Sequence, residues 1–188
     1  VVGGGRTGLE AARAAAGLGH PVVLIESRDT LGGRLALQKS LLPEEPPYDR
    51  PHPNTLPELV DEIRSLGDVT VLTSTTIEKT GGQPGQFKVT LAGPSARELT
   101  VGAIVQATGS RPYDATKLGH LGYGASPDVV TSHELESMLV NGSVRCPSNG
   151  QPPKRVLFIQ CAGSRDANHL PYCSSECCAT TLRQVYEL

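Results

Sequence analysis

Four thiols crowd into one short stretch of this chain: Cys161, Cys173, Cys177 and Cys178, with the spacing C-x11-C-x3-C-C. Four cysteines is the number that ligates a 4Fe-4S cluster. Thiolates near a helix N-terminus have a lowered pKa and are readier ligands, which favours Cys177 and Cys178 if a helix opens at Ser174 or Ser175. Zinc also accepts four thiolates, but structural zinc sites draw on Cys-x2-4-Cys pairs, and adjacent cysteines sit awkwardly around one tetrahedral ion. Spacing therefore favours iron and sulfide over zinc. It leaves open two other readings, thiols packed at a helix start and a redox-labile disulfide. Cys146 stands apart and reads as a bystander.

A second constellation lies at Val1-Val2-Gly3-Gly4-Gly5-Arg6-Thr7-Gly8. Two apolar residues would end a buried parallel strand, and Gly3 and Gly5 would let the backbone turn tightly against a pyrophosphate. Gly8 would let the next helix pack close. That helix would aim its amide N–H groups and positive dipole end at the phosphates, with Arg6 and Thr7 in its first turn. The pattern gains weight from its context. Leu9 to Leu18 is alanine-rich with helical spacing, and Gly19 follows as its stop. Pro21 to Glu26 then reads as a buried strand closing on an acid, and Glu26 lies at the spacing of a carboxylate that accepts hydrogen bonds from an adenosine ribose. Ser27 follows it. Taken alone, the glycines could be ordinary turn residues and Glu26 a solvated strand end.

The remaining elements must position these two groups. Leu56 to Leu66 carries a helical stripe, and short strands are expected at 69–73, 76–79, 87–91 and 98–101, with turns at Gly81-Gly82 and Gly93-Pro94. Residues 43–57 hold six prolines and read as irregular and exposed. Ala103 to Gly109 returns to the buried-strand pattern and ends in Ala107-Thr108-Gly109, where Thr108 also reads as a turn hydroxyl. Thr131 and Glu134 have capping-box spacing for a helix running to about Leu139. Arg155 to Gln160 is expected to be another buried strand. These elements predict an α/β fold, with a Rossmann-like domain over residues 1–140, a linker over 141–154, and the start of a second dinucleotide-binding-like domain over 155–188. The chain lacks an initial Met and opens two residues before its first turn, so it reads as a piece of a longer protein.

Composition narrows the classes. Seventeen basic against nineteen acidic residues leave a net charge of -2, which argues against nucleic acid as the main partner. No apolar run approaches the ~18 residues of a membrane span, and clustered cysteines suit a reducing compartment, so a cytoplasmic location is expected. His20, His52, His120, His133 and His169 are scattered and read as surface residues, with His169 alone placed between thiols where it could tune a metal centre. No Ser-His-Asp or paired-carboxylate pattern points to hydrolysis, and no residue is assigned as catalytic.

The glycine pair Gly32-Gly33, directly after the ribose acid, is a feature shared with many FAD-binding oxidoreductases. Phe158 to Asp166 and Pro171 to Cys178 closely resemble the flavin-bearing subunit of heterodisulfide reductase and its relatives, as do Arg111-Pro112-Tyr113-Asp114 and Leu121-Gly122-Tyr123-Gly124. The resemblance implies a thioredoxin-reductase-like fold, FAD as cofactor, a 4Fe-4S cluster on Cys161, Cys173, Cys177 and Cys178, and electron transfer between the two. It also implies other redox subunits of a heterodisulfide-reductase-like complex as partners, and admits a homodimer. Glu26 would then bind ribose, the Gly3 to Gly8 turn with Gly33, Arg34 and Leu35 the pyrophosphate, and Ile77 the adenine through its backbone. Ala107 to Gly109 would pass the flavin nucleotide. Arg34 reads equally as the start of a solvated face. Many relatives carry a further cysteine and an inserted ferredoxin module after the Gly32-Gly33 region, whereas residues 35–100 here contain no cysteine. Two rival readings remain: an NAD(P)H-dependent disulfide reductase, against which no second Gly-x-Gly-x-x-Gly follows Ile159, and a non-catalytic nucleotide-binding module with structural zinc.

Overall fold

The computed structural model describes residues 1–43 and 45–188. In chain order its helices and strands are α1 (Arg6–Gly17), β1 (Val22–Ile25), β2 (Ser40–Leu41), β3 (His52–Pro53), α2 (Leu56–Ser65), β4 (Val69–Leu72), β5 (Thr76–Gln83), β6 (Gln86–Ala92), β7 (Glu98–Val101), α3 (Ser132–Val140) and α4 (Cys177–Glu187). They form two compact units, residues 1–36 with 55–110, and residues 37–54 with 111–188.

The first unit has the α/β, Rossmann-like architecture that the sequence predicts. β1 pairs in parallel with β4, Val22 opposite Val69 through Ile25 opposite Leu72. Val2 bridges in parallel to both Ile25 and Gln106, so three short segments around the first turn run side by side before β4 completes the row. Backbone bonds lock this arrangement: the Gly3 N–H donates to the Ile25 carbonyl at 2.8 Å and the Ala107 N–H to the Val2 carbonyl at 2.8 Å. The apolar run Val22-Val23-Leu24-Ile25, three of whose four residues are β-branched, suits a strand covered on both faces. On one face Leu9 and Ala12 of α1 and Leu59 and Ile63 of α2 pack with Leu24 and Leu31. On the other, Ile25 and Leu72 meet Val89 and Leu91 of the antiparallel sheet β5-β6-β7. Each fully buried aliphatic side chain here contributes about 1.5–3 kcal/mol.

One expected turn moves. The chain does not reverse at Gly81-Gly82, because β5 continues through both to Gln83, which pairs with Gln86 around Pro84-Gly85. Pro84 cannot donate to a ladder, whereas the Gly81 and Gly82 amides can, so the proline takes the turn. Gly82 has φ +88, and a Cβ there would lie 2.3 Å from the Gln86 carbonyl oxygen.

In the second unit, β3, within the proline-rich stretch, pairs with β2 just before it in a two-residue antiparallel ladder; Glu44 of that stretch lies outside the described residues. α3 begins with the expected capping box: the Glu134 N–H donates to Thr131 Oγ1 at 3.3 Å, and the Thr131 N–H donates to Glu134 Oε2 at 2.6 Å. α3 and α4 are joined by a buried ionic knot. Arg183, only 2% exposed, donates through Nη2 to Glu136 and through Nη1 to Glu187 at 3.1 Å. Gln184 Nε2 donates to Glu136 Oε1 at 2.7 Å and to the Ser132 carbonyl at 2.9 Å. This pairing groups α3 with the cysteine segment, so the compact units do not part at the 141–154 stretch read as a linker.

Two expectations fail in this unit. Residues 155–160 form no strand, and Leu157 is 84% exposed with Val156 and Ile159 also largely open. Among the described residues no other segment forms a ladder with them, and an apolar run without a hydrogen-bonding neighbour cannot be a strand. Nor does a serine cap α4. Its N-cap is Glu176, with no side-chain capping bond, because Ser175 takes a left-handed conformation (φ +59) and turns its N–H to Cys173 Sγ at 3.4 Å.

Candidate functional site

The glycine turn is built as a close three-way backbone crossing. Gly3 has φ +108, and a Cβ on it would lie 2.3 Å from the Ala107 carbonyl oxygen. A Cβ on Gly8 would lie 1.8 Å from the Gly3 carbonyl oxygen, which is why the first turn of α1 needs glycine there. Gly5 is the extended N-cap of α1 and makes no side-chain cap, and a helix N-terminus presents backbone N–H groups and a positive dipole end that suit an anion. Gly5 also bridges to Gly32, whose N–H donates to the Gly4 carbonyl at 2.7 Å. Gly33 has φ +58, and its Cα approaches so closely that a Cβ on Gly33 would lie 3.0 Å from the Gly5 Cα. The two glycine clusters thus form one cradle whose walls are backbone. Arg6 and Thr7 stand in the first turn of α1, and Leu35 in the 3-10 helix Gly33–Leu37. Arg34, from that same helix, donates to the Ser110 carbonyl.

Glu26 is not a solvated strand end. It is 7% exposed, its Oε2 accepts the Gly4 N–H at 2.6 Å, and its Oε1 accepts the Arg28 N–H at 2.8 Å and the Ser27 hydroxyl at 3.1 Å. Burial pushes this carboxyl up. The hydrogen bonds from Arg28, Gly4 and Ser27, with the Arg28 charge, outweigh it and hold the pKa below the ordinary value. A carboxylate offers about four lone-pair sites, and three are filled from the protein, which leaves Oε2 capacity for one further donor such as a ribose hydroxyl. Ile77 sits opposite Leu91 beside a β-bulge, with its side chain packed against the Ile25 and Leu72 cluster. Ala107 is pinned against Val2, Thr108 is exposed and accepts from Gln106 Nε2 at 3.5 Å, and Gly109 follows with φ +70. A cradle of backbone amides with no Cβ, at a helix N-terminus and beside a buried acid, fits a dinucleotide pyrophosphate.

Cys178 lies within electrostatic reach of the other three thiols, Cys177, Cys161 and Cys173. Cys177 and Cys178 are the first two residues of α4. A hydrogen bond from the Ser174 side chain, helped by the Cys161 and Cys178 backbone N–H groups, holds the Cys177 thiol below its usual range despite burial. The Cys178 thiol is pushed up, chiefly by the Cys177 charge and then by burial, with Cys161 and Cys173 adding to it. Four thiols, with hydrogen-bond donors at Cys177 and at Cys173, are a donor set of the kind that iron–sulfur ligation uses. Among the described residues, no three His, Cys, Asp or Glu side chains already converge as they would around a bound metal ion. His169 departs from the surface reading: it is half-buried, with Nδ1 2.5 Å from the Tyr113 hydroxyl. No spacing rule flags that pair, since 56 residues separate its members.

Comparison with known proteins bears on the cradle first. The family described as pyridine nucleotide-disulphide oxidoreductase matches residues 1–142. The chain belongs to this family of oxidoreductases. It is also similar to one of the subunits of heterodisulfide reductases. It is 26% identical to such a subunit from the ferredoxin/F(420)H(2)-dependent CoB-CoM heterodisulfide reductase of Methanosarcina acetivorans, over 97% of this chain and 33% of the relative. It is 46% identical to the corresponding subunit of the H(2):CoB-CoM heterodisulfide,ferredoxin reductase of Methanothermobacter thermautotrophicus, over 49% of this chain and 15% of the relative. The chain thus spans at most about a third of the length of these relatives. Among solved structures, an NAD-dependent persulfide reductase from A. fulgidus aligns with a TM-score of 0.40 at 25% identity, over 70% of this chain and 22% of that one. The family membership implies FAD binding, and among the described residues no helix is long and apolar enough to cross a membrane.

Proposed function

We propose that this chain is the FAD-binding and cysteine-bearing part of an electron-transfer oxidoreductase similar to the flavin-bearing subunit of heterodisulfide reductase, passing electrons between FAD and a 4Fe-4S cluster. The observation that supports the reading is the pairing, in one chain, of a backbone-walled dinucleotide cradle with four cysteines, of which Cys178 lies within electrostatic reach of the other three. When bound, the flavin supplies two-electron chemistry and the cluster single-electron transfer.

The chain's own residues bind and orient. Backbone N–H groups from Gly3 to Gly8, with Arg6 and Thr7, hold the pyrophosphate at the positive end of α1, and Gly33, Arg34 and Leu35 close its other side. Glu26 accepts a ribose hydroxyl while Ser27 steadies the carboxylate. Ile77 offers backbone groups to adenine, and Ala107, Thr108 and Gly109 border the flavin nucleotide. Cys161, Cys173, Cys177 and Cys178 bind the cluster as thiolates. Donors around Cys177 favour its deprotonated form and so its ligation. Other redox subunits, and a second copy of the chain, are the partners this reading assigns, in a reducing cytoplasm.

Anaerobic reconstitution with FAD, ferrous iron and sulfide tests this. The expected product has flavin absorbance, about four irons per chain and acid-labile sulfide. Zinc at about one per chain without sulfide supports the structural module instead, and bleaching of the flavin by NADPH alone supports the pyridine-nucleotide-dependent reading.

A further inference from the structure

The stretch between Cys161 and Cys173 is a closed loop. The Leu170 N–H donates to the Gly163 carbonyl at 3.1 Å, Asp166 N–H to the Leu170 carbonyl at 3.0 Å, and Arg165 N–H to the Tyr172 carbonyl at 3.0 Å. Ser164 and Leu170 face each other as a β-bridge. Cys161, Gly163 and Arg165 all have positive φ, at +57, +80 and +56. Such a run of left-handed residues is costly for the two that carry a Cβ and needs support from outside the loop.

Tyr113 provides that support. Its ring lies so close to the Gly163 backbone that a Cβ there would sit 2.4 Å from Cδ1 and 2.8 Å from Cε1. Its hydroxyl shares the 2.5 Å hydrogen bond with His169 Nδ1, and the two rings meet edge to face at 5.6 Å and 90°. One residue from a distant part of the sequence therefore touches both arms of the loop, at Gly163 just after Cys161 and at His169 shortly before Cys173.

We infer that Tyr113 is a positioning residue for the cysteine centre: by filling the space beside Gly163 and hydrogen-bonding His169, it holds the Cys161–Cys173 loop in one shape. The inference rests on the reading of these thiols as a ligand set. Ligands joined by a long flexible loop bind weakly because ordering the loop opposes ligation, and outer contacts that orient ligands typically change metal affinity by about 10–100-fold. A glycine at 163 and a hydrogen-bonding residue at 169 are then both explained by the same tyrosine.

The experiment has two stages on the full chain. In the metal-free protein, amide hydrogen exchange at Arg165, Asp166 and Leu170 is compared for the wild type, Tyr113→Phe, and Tyr172→Phe as a control on an exposed tyrosine of the same loop. Loss of the Tyr113 hydrogen bond is expected to speed exchange at these amides by about tenfold, with the control unchanged. After reconstitution with ferrous iron and sulfide, Tyr113→Phe is expected to lose iron to a chelator about tenfold faster than the wild type and to show an altered electron paramagnetic resonance spectrum. His169→Gln, which keeps a partner for the phenol, is expected to keep most of the wild-type retention. Unchanged exchange in metal-free Tyr113→Phe overturns the inference, as do an unaltered spectrum and chelation rate in that variant. A wild type that takes up no iron overturns the cluster reading instead, and the first stage still decides the role of Tyr113.

Discussion

Replacing Glu26 by glutamine keeps the shape of the side chain and removes its charge and half of its acceptor capacity. In the wild type both carboxylate oxygens accept, Oε2 from the Gly4 N–H and Oε1 from the Arg28 N–H and the Ser27 hydroxyl. Glutamine has one accepting oxygen and a donating NH2 group, so one backbone N–H must face a donor. Ser27 can turn its hydroxyl to accept, but Gly4 and Arg28 N–H cannot. A buried donor left unpaired costs about 1–3 kcal/mol, with charge assistance lost from the bond that remains. Taking about 2 kcal/mol and a urea slope of about 2 kcal/mol/M, the unfolding midpoint of the cradle-bearing unit falls by about 1 M. The measurement is urea denaturation followed by circular dichroism, with amide exchange at Gly4 as the local probe. Charge also sets a pH signature. The folded carboxyl lies below its ordinary 4.5, so its contribution is fully present above pH 4.5 and is lost as pH falls below that value through the folded pKa. Glu26→Gln should lack this acid-side component. A midpoint within about 0.2 M of wild type, with unchanged exchange at Gly4, refutes the assignment of Glu26 as the tie between strand end and glycine turn.

Two further changes probe each unit. Gly8→Ala places a Cβ 1.8 Å from the Gly3 carbonyl oxygen, so the turn must open; FAD affinity measured by flavin fluorescence is expected to fall at least about tenfold, equal to about 1.4 kcal/mol, and a wild-type titration curve contradicts the cradle. Arg183→Met removes the cation that pairs with the buried carboxylates of Glu136 and Glu187, whose side chains are each 5% exposed; it should destabilise the α3–α4 pair by about 3–5 kcal/mol. Faster amide exchange across both helices checks this, with recovery expected when Glu136→Gln and Glu187→Gln are added, and unchanged exchange speaks against the knot.

Local patterns suffice where the interactions themselves are local. Gly3, Gly5 and Gly8 with Glu26 at its distance along the chain announce the strand–turn–helix, because backbone clearance and the strand-helix-strand rise are set within one short stretch. The Thr131-Glu134 capping box is legible for the same reason, as is the helical stripe of α2. The 155–160 run misleads because an apolar segment looks like a strand whether or not a neighbour is present to pair with it. The turn near Gly82 shifts because glycine marks both reversals and close approaches, and only the register with Gln86 distinguishes them. Tertiary structure alone brings Tyr113 to His169, Arg183 to Glu136, and the Gly4 N–H to Glu26. Each is a contact between residues more than twenty positions apart. Residue types and spacing thus name the groups that can do chemistry here, the cradle glycines and the four thiols. Which acceptors stay available, which loop is held and which charges are buried depend on non-local packing, which no periodicity records.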